Sequence, residues 1–349
     1  MNEIKTEEMK LLKKRYRLLY SLLTAGLIML SCSDKTTKDS IESKLSNLSG
    51  SYLGQEQPGT TPKIFAPGIV STGLPERDLT ISPDGNEIYF TVQLGRDYDY
   101  RSCIVCVKQI NGLWSKPEVV SFSGQYSDIE PFIQPDGKKM YFASRRPIVE
   151  GVENKGRYSI WYVDRVGDGW GTPKPVGEPI TGEGMVCYAS ITKSGTMYFT
   201  KMHEDGNEFI YRSKFVDGKF TTPEILPENI NINESQWNAC ISPDEDYLII
   251  PSYVEGYNYG SADYYVSFRD ENDNWSDLIN LGEKINSPGL DFTPSISPDG
   301  KYFFFQRMNW TENLDGKILN YNDLVNIHNG RGDIYWVDAS VITDLNPNK

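Results

Sequence analysis

Five copies of one hairpin signature, an aromatic-rich composition and an abundance of turn residues predict an all-β chain, a five-bladed β-propeller of four-stranded blades. The 349 residues include 22 Tyr, 14 Phe and 7 Trp beside 30 Gly and 20 Pro. Aromatic side chains favour strands, and Gly with Pro favours the turns between them. The length admits one large domain or two ordinary ones. A repeat of fixed period decides for one ring.

The signature recurs at Leu79–Val92 (LTISPDGNEIYFTV), Pro131–Ser144 (PFIQPDGKKMYFAS), Ala189–Lys201 (ASITKSGTMYFTK), Ala239–Ser252 (ACISPDEDYLIIPS) and Pro294–Arg307 (PSISPDGKYFFFQR). The turns begin at Pro83, Pro135, Lys193, Pro243 and Pro298, a period of 50 to 58 residues. In each unit a short apolar strand ends in Pro-Asp-Gly or a relative. Pro presets φ, Asp hydrogen-bonds the turn backbone and Gly accepts a positive φ. An aromatic second strand returns.

A third strand follows a variable loop, at 103–108, 160–165, 209–214, 263–268 and 333–338. A fourth begins near Trp114, Trp170, Phe220 and Trp275. Because these aromatics recur at one repeat position, they are expected to pack between blades. The fifth unit ends after its third strand. Ile64–Val70, upstream of the first unit, is expected to supply the missing fourth strand and close the ring without an open edge. A sixth blade would need another strand set, and neither the polar stretch 33–62 nor the insertion 308–332 offers one.

These residues resemble the TolB-type, WD-like propeller repeats of bacterial envelope proteins over about residues 64–343. Unit three departs from the pattern with Thr192-Lys-Ser-Gly, and unit four with Glu245 in place of Gly. The resemblance implies the fold. It leaves function open, because propellers host binding, catalytic and scaffold roles alike.

The N-terminus reads as an export signal. Lys10, Lys13, Lys14, Arg15 and Arg17 precede an apolar run of 13 residues, Leu18–Leu30. That run is shorter than the ~20 residues a spanning helix needs. Leu30-Ser31-Cys32 resembles a bacterial lipoprotein box, which implies a lipidated Cys32. The expected organisation is a signal over 1–32, a flexible tether over 33–62 rich in Ser, Thr, Lys and Asn, and the propeller over 63–345. The expected placement is a membrane-anchored lipoprotein of the cell envelope, in the outer membrane of a Gram-negative bacterium. The net charge of −13 disfavours nucleic acid as a partner.

In such rings the first strand of each blade lines the central channel. Counting back three residues from the aligned Ile gives Asp78, Glu130, Tyr188, Asn238 and Thr293. The second strands exit at Val92, Ser144, Lys201, Ser252 and Arg307, with Arg145 adjacent. Asp78, Glu130, Arg145, Lys201 and Arg307 could converge on a polar ligand, or pair with one another and pin neighbouring blades. Tyr98, Tyr100, Tyr253, Tyr257, Tyr259, Trp310 and Tyr321 lie in loops of the same face. Such rings could recognise sugars or protein surfaces, or fold back over the blades.

Asp78 and Glu130 also admit a glycosidase-like reading, as acid and base or nucleophile. Other chemistries find less support. His203 and His328 are the only histidines, which excludes a multi-His metal site. Cys103 and Cys106 alternate across a strand. The Asp270-Asn272-Asn274 run carries Trp275 where a calcium loop needs Gly. No cofactor or metal is expected. The leading expectation is a lipid-anchored, non-enzymatic module that binds an envelope protein or glycan; the alternative is glycan cleavage by Asp78 and Glu130.

Overall fold

The computed structural model describes residues 48–94, 101–149, 151, 156–182, 184–308, 321–327 and 329–347. Each repeat folds into an antiparallel sheet of four strands, and five such sheets form the ring. The inner strands are Glu76–Ile81, Asp128–Ile133, Met185–Ile191, Cys240–Ile241 and Leu290–Ile296. The second strands are Glu87–Leu94, Lys139–Ser144, Met197–Met202, Tyr247–Ser252 and Tyr302–Met308. The third strands are Arg101–Ile110, Ser159–Val166, Glu208–Ser213, Asp263–Phe268 and Gly332–Asp338. Outer strands are only two residues long: Glu118–Val119, Lys174–Pro175, Glu224–Ile225, Ile279–Asn280 and, for blade five, Lys63–Ile64.

The ring closes at the segment the sequence points to, but through Lys63–Ile64 alone rather than a strand over Ile64–Val70. Lys63 pairs with Trp336 and Ile64 with Tyr335, so the first strand of the chain completes the last blade. Phe65 then packs edge-on against Phe304 and Trp336, with centroids 5.1 and 5.3 Å apart. Ser71 Oγ accepts the Ile334 N–H and donates to the Ile334 carbonyl, tying the segment after the strand to blade five.

Apolar side chains are layered between blades rather than gathered at one centre. Tyr89 and Ile104 of blade one meet Met140, Phe142 and Trp161 of blade two. Tyr247 and Tyr264 of blade four meet Phe303 and Phe305 of blade five. The recurring aromatics bridge blades: Trp170 of blade two donates to Tyr89 of blade one at 2.9 Å, and Trp275 of blade four stands edge-on to Tyr198 of blade three.

Within the stretch expected as a tether, residues from Ser49 onward lie on the ring. Tyr52 stacks on Phe304 of blade five, Leu53 is buried, and Trp114 of blade one donates to the Gly50 carbonyl at 2.8 Å. A Tyr and a Leu in a polar stretch gain by covering the apolar edge of the closing blades, which composition alone does not reveal. Cys32 and residues 33–47 lie outside the described residues.

One substitution tests ring closure. Phe65→Ala should cost about 3–5 kcal/mol in chemical denaturation, the usual loss for a fully buried Phe. A loss under about 1 kcal/mol would mean that the N-terminal strand does not hold blade five.

Candidate functional site

The five channel positions counted from the repeat are brought together, and they share one backbone conformation. Asp78, Glu130, Tyr188, Asn238 and Thr293 all have positive φ, between 52° and 61°. The inner strand slips register around this residue in blades one, two, three and five, which marks a β-bulge. A left-handed conformation is unusual for residues with a Cβ and persists only where surroundings enforce it.

The surroundings are the neighbouring blade. Glu130 N–H donates to Asp78 Oδ2 and to Thr91 Oγ1, at 3.2 and 3.3 Å. Tyr188 N–H donates to Glu130 Oε2 at 2.7 Å, and Asn238 N–H to Thr200 Oγ1 at 2.9 Å. Asp78 N–H points at Thr293 Oγ1, 3.5 Å away. In blades one to four this residue thus turns its backbone donor onto the preceding blade. Tyr188 adds its hydroxyl, which donates to the Pro294 carbonyl at 2.7 Å.

The two channel carboxylates share one cation, which the sequence reading missed. Arg77 Nε lies 2.6 Å from Asp78 Oδ2, and its Nη2 lies 3.0 Å from Glu130 Oε1. Strict alternation would send Arg77 and Asp78 to opposite faces; the bulge re-aims one of them. All three side chains are buried. Burial pushes the Glu130 carboxyl up, the Arg77 guanidinium draws it back and the Asp78 charge adds to the rise. Burial pushes Asp78 up too, against the pull of Arg77. A cavity of about 20 Å³ beside Asp78, Glu130 and Tyr188 is no larger than one or two waters require. The arrangement braces blades one to three.

The other predicted cations do not join this cluster. Arg307 lies 3.3 Å from Asp291 across its own blade and stacks on Tyr335. Arg145 stacks on Tyr158 at 4.6 Å. Its neighbour Arg146 makes the ion pair, 2.8 Å from the buried Asp128. Lys201 sits 5.9 Å from the Tyr211 ring. The sequence holds a signal for these pairs. Two residues before each bulge stand Glu76, Asp128, Val186, Gln236 and Asp291, a polar position in four blades.

Several cavities open to solvent, and the largest among the described residues, about 730 Å³, lies between the hairpins of blades one and two beside Asp84, Lys108, Asp136 and Arg165. Two others bear on ligand binding. On the hairpin side, Pro83, Pro135, Pro243, Pro298 and Lys193 ring a space of about 350 Å³ floored by the repeated Ile. Lys193 is tied there to Asp244 at 2.8 Å. The second is a groove of about 560 Å³ in blade four, lined among others by Asn229, Ile232, Tyr257, Tyr259, Asp277 and Asn280. Tyr257 is 75% exposed and Tyr259 50%. Their loop is nonetheless braced: Asp263 accepts the Tyr259 and Gly260 N–H groups, and Asn258 caps Val254 and receives the Tyr265 hydroxyl. These tyrosines do not fold back over the blade. Tyr253 is likewise exposed, as is Tyr321. Tyr98, Tyr100 and Trp310 lie outside the described residues, as does His328. Among the described residues no group of three or more His, Cys, Asp or Glu is placed to hold a metal, and Cys103, Cys106, Cys187 and Cys240 are free thiols.

No family model matches the chain, and no curated protein matches it. Solved structures are similar to it at low identity. TolB from Acinetobacter baumannii is 17% identical with a TM-score of 0.42, over 76% of this chain and 57% of that one. A putative TolB from Agrobacterium tumefaciens is 14% identical with a TM-score of 0.45, over 76% and 90%. An α-L-arabinofuranosidase from Podospora anserina, solved with cellotriose, is 13% identical with a TM-score of 0.44, over 80% and 94%. The chain spans little more than half the length of the first of these.

Proposed function

We propose that this protein is a non-enzymatic recognition module of the cell envelope, held to a membrane through lipid on Cys32, whose tyrosine-lined groove in blade four binds a glycan of the envelope. One observation carries the reading. The exposed aromatic rings are open and rigidly mounted, whereas the two channel carboxylates are buried and engaged by Arg77 and by backbone donors. Tyr257 and Tyr259 offer apolar faces, and Asn229, Asp277 and Asn280 offer the amide and carboxylate groups that hydrogen-bond sugar hydroxyls. A protein surface rich in polar groups would meet the same chemistry, and is the second class of partner the groove could hold. The anchor rests on the basic segment, the apolar run and Cys32.

A glycan-cleaving reading keeps one supporting observation. Burial raises Glu130 above the ordinary carboxylate range, as a general acid requires. The cost is access: Glu130 is 5% exposed.

The full chain should be retained by one or more of a panel of polysaccharides and peptidoglycan without releasing new reducing ends. Tyr257→Ala with Tyr259→Ala should weaken that retention at least about tenfold, since exposed aromatic anchors typically contribute more than 1 kcal/mol each. Unchanged retention in the double variant would remove the groove from the proposal. Glu130→Gln should lower stability by about 1–3 kcal/mol through the lost brace and leave retention intact. New reducing ends that disappear in Glu130→Gln would instead establish cleavage. Cys32→Ala should move the protein from the membrane fraction to the soluble fraction; persistent attachment would refute the lipid anchor.

A further inference from the structure

The loop segments around the groove of blade four are bonded to one another. Asn229 Nδ2 donates to the Trp275 and Ser276 carbonyls at 2.6 and 3.1 Å, which fixes 227–234 against 275–278. Asn233 Nδ2 donates to the Tyr253 carbonyl at 3.0 Å, and Asn280 Nδ2 to the Tyr257 carbonyl at 3.3 Å. The tyrosine loop is thus held from both sides. The groove of about 560 Å³ has apolar walls in Ile232, Val254 and Leu278 and aromatic walls in Tyr257, Tyr259 and Tyr265. Such a surface suits the C–H face of a sugar ring.

The formal charge of these segments is one-sided. Glu228, Glu234, Glu255, Asp277 and Glu283 are all exposed. Lys284 is the single basic residue of 227–234, 253–260 and 275–284. Asp277 lines the groove itself, and Glu228, Glu255 and Glu283 each adjoin a lining residue. The arginines of blades three and four serve other acids: Arg212 meets Glu224 and Asp273, and Arg269 meets Glu245 and Asp273. Among the described residues no Lys or Arg forms a salt bridge with any of the five. An exposed carboxylate needs no partner in water, so the acids alone would say nothing of a ligand. Their place beside the rings does. Ring quadrupole and carboxylate charge together draw a cation. The same field repels uronate, sulfate and phosphate groups.

We infer that the glycan taken by this groove carries free amino groups, its ammonium meeting Asp277 while a sugar ring lies on Tyr257 or Tyr259. The inference deepens the glycan reading above and rests on it. A basic peptide carries the same charge, but an extended peptide commonly binds by adding to a strand edge through its backbone. The strand beside the groove, Ile279–Asn280, is two residues long and offers little ladder to extend.

Calorimetric titration of the full chain with three β-1,4-linked tetramers, of glucosamine, N-acetylglucosamine and glucose, tests the charge on one backbone. At about pH 6 and about 50 mM salt the glucosamine tetramer should bind at least about tenfold tighter than the other two, the combined effect of exposed ion pairs and a cation–π contact. At about 1 M salt, where the screening length falls to about 3 Å, that margin should largely vanish. Asp277→Asn with Glu255→Gln should remove most of the margin and leave affinity for the N-acetylated tetramer unchanged. Asp168→Asn with Glu271→Gln removes the same charge from exposed turns at the hairpin end and should leave the margin intact. Equal affinity for the three tetramers, or retention on a polysaccharide without binding of the glucosamine tetramer, overturns the amine and leaves the glycan reading standing. Failure of every sugar overturns both. A margin lost as readily in the hairpin-end variant would reduce it to net charge and refute the site. Tetralysine that binds more tightly than the glucosamine tetramer, and is lost in Asp277→Asn with Glu255→Gln, would assign the groove to a basic protein and refute the amino sugar.

Discussion

The ring depends on one backbone device, a left-handed residue at the same position of every blade, set in a bulge in four of them. A regular strand directs its N–H and C=O groups only to strands of the same sheet. The bulge frees one N–H and turns it toward the preceding blade, where Asp78, Thr91, Glu130 or Thr200 accepts it. Non-glycine residues held at positive φ are strained by about 1–3 kcal/mol each. The strain is offset because each freed donor would otherwise be buried without a partner. Blade follows blade through these bonds and through the apolar layers outside them.

The same device decides what the charged channel residues do. Once the bulge aims both Arg77 and Asp78 inward, the carboxylates of blades one and two meet across a guanidinium rather than across a substrate. A buried charge pair is weak evidence for stability in general, because desolvation offsets attraction. Here the carboxylates also collect backbone donors from blades two and three, so the pair specifies which blade sits beside which. Exposed chemistry is left to the loops, where Tyr257 and Tyr259 stand on a scaffold of Asp263 and Asn258 bonds. A rigid ring carrying functional loops is a common division of labour.

The seam between blades one and five is where the repeat logic is least regular. In blades two and four a Trp packs on the Tyr of the blade before it. At the seam Tyr52 stacks on Phe304, and Trp114 is bonded to Gly50. Likewise Gln306 stands where blades one and three have Thr91 and Thr200, and Glu76 accepts from Thr72 where Asp128 and Asp291 pair with Arg. A ring made from a linear chain must close through non-covalent contacts, and its closing interface is free to differ from the repeat.

The sequence by itself determined the five hairpins, the strand that closes blade five and the five positions at the bulge. Those features are local or periodic: Pro-Asp-Gly turns, alternation, and a count from an aligned Ile. The inter-blade role of Trp170 and Trp275 was legible for the same reason. Only the tertiary structure decided which charges meet. Arg77 escaped notice because a bulge breaks the alternation on which side-chain direction is read. Arg146 rather than Arg145 reaches Asp128, a one-residue difference that no spacing rule fixes. Tyr52 and Phe304, which stack, are 252 residues apart in sequence, and Tyr52 and Leu53 lie in a stretch whose composition reads as linker. Such contacts follow from how the ring closes, and closure is a property of the assembled blades rather than of any segment.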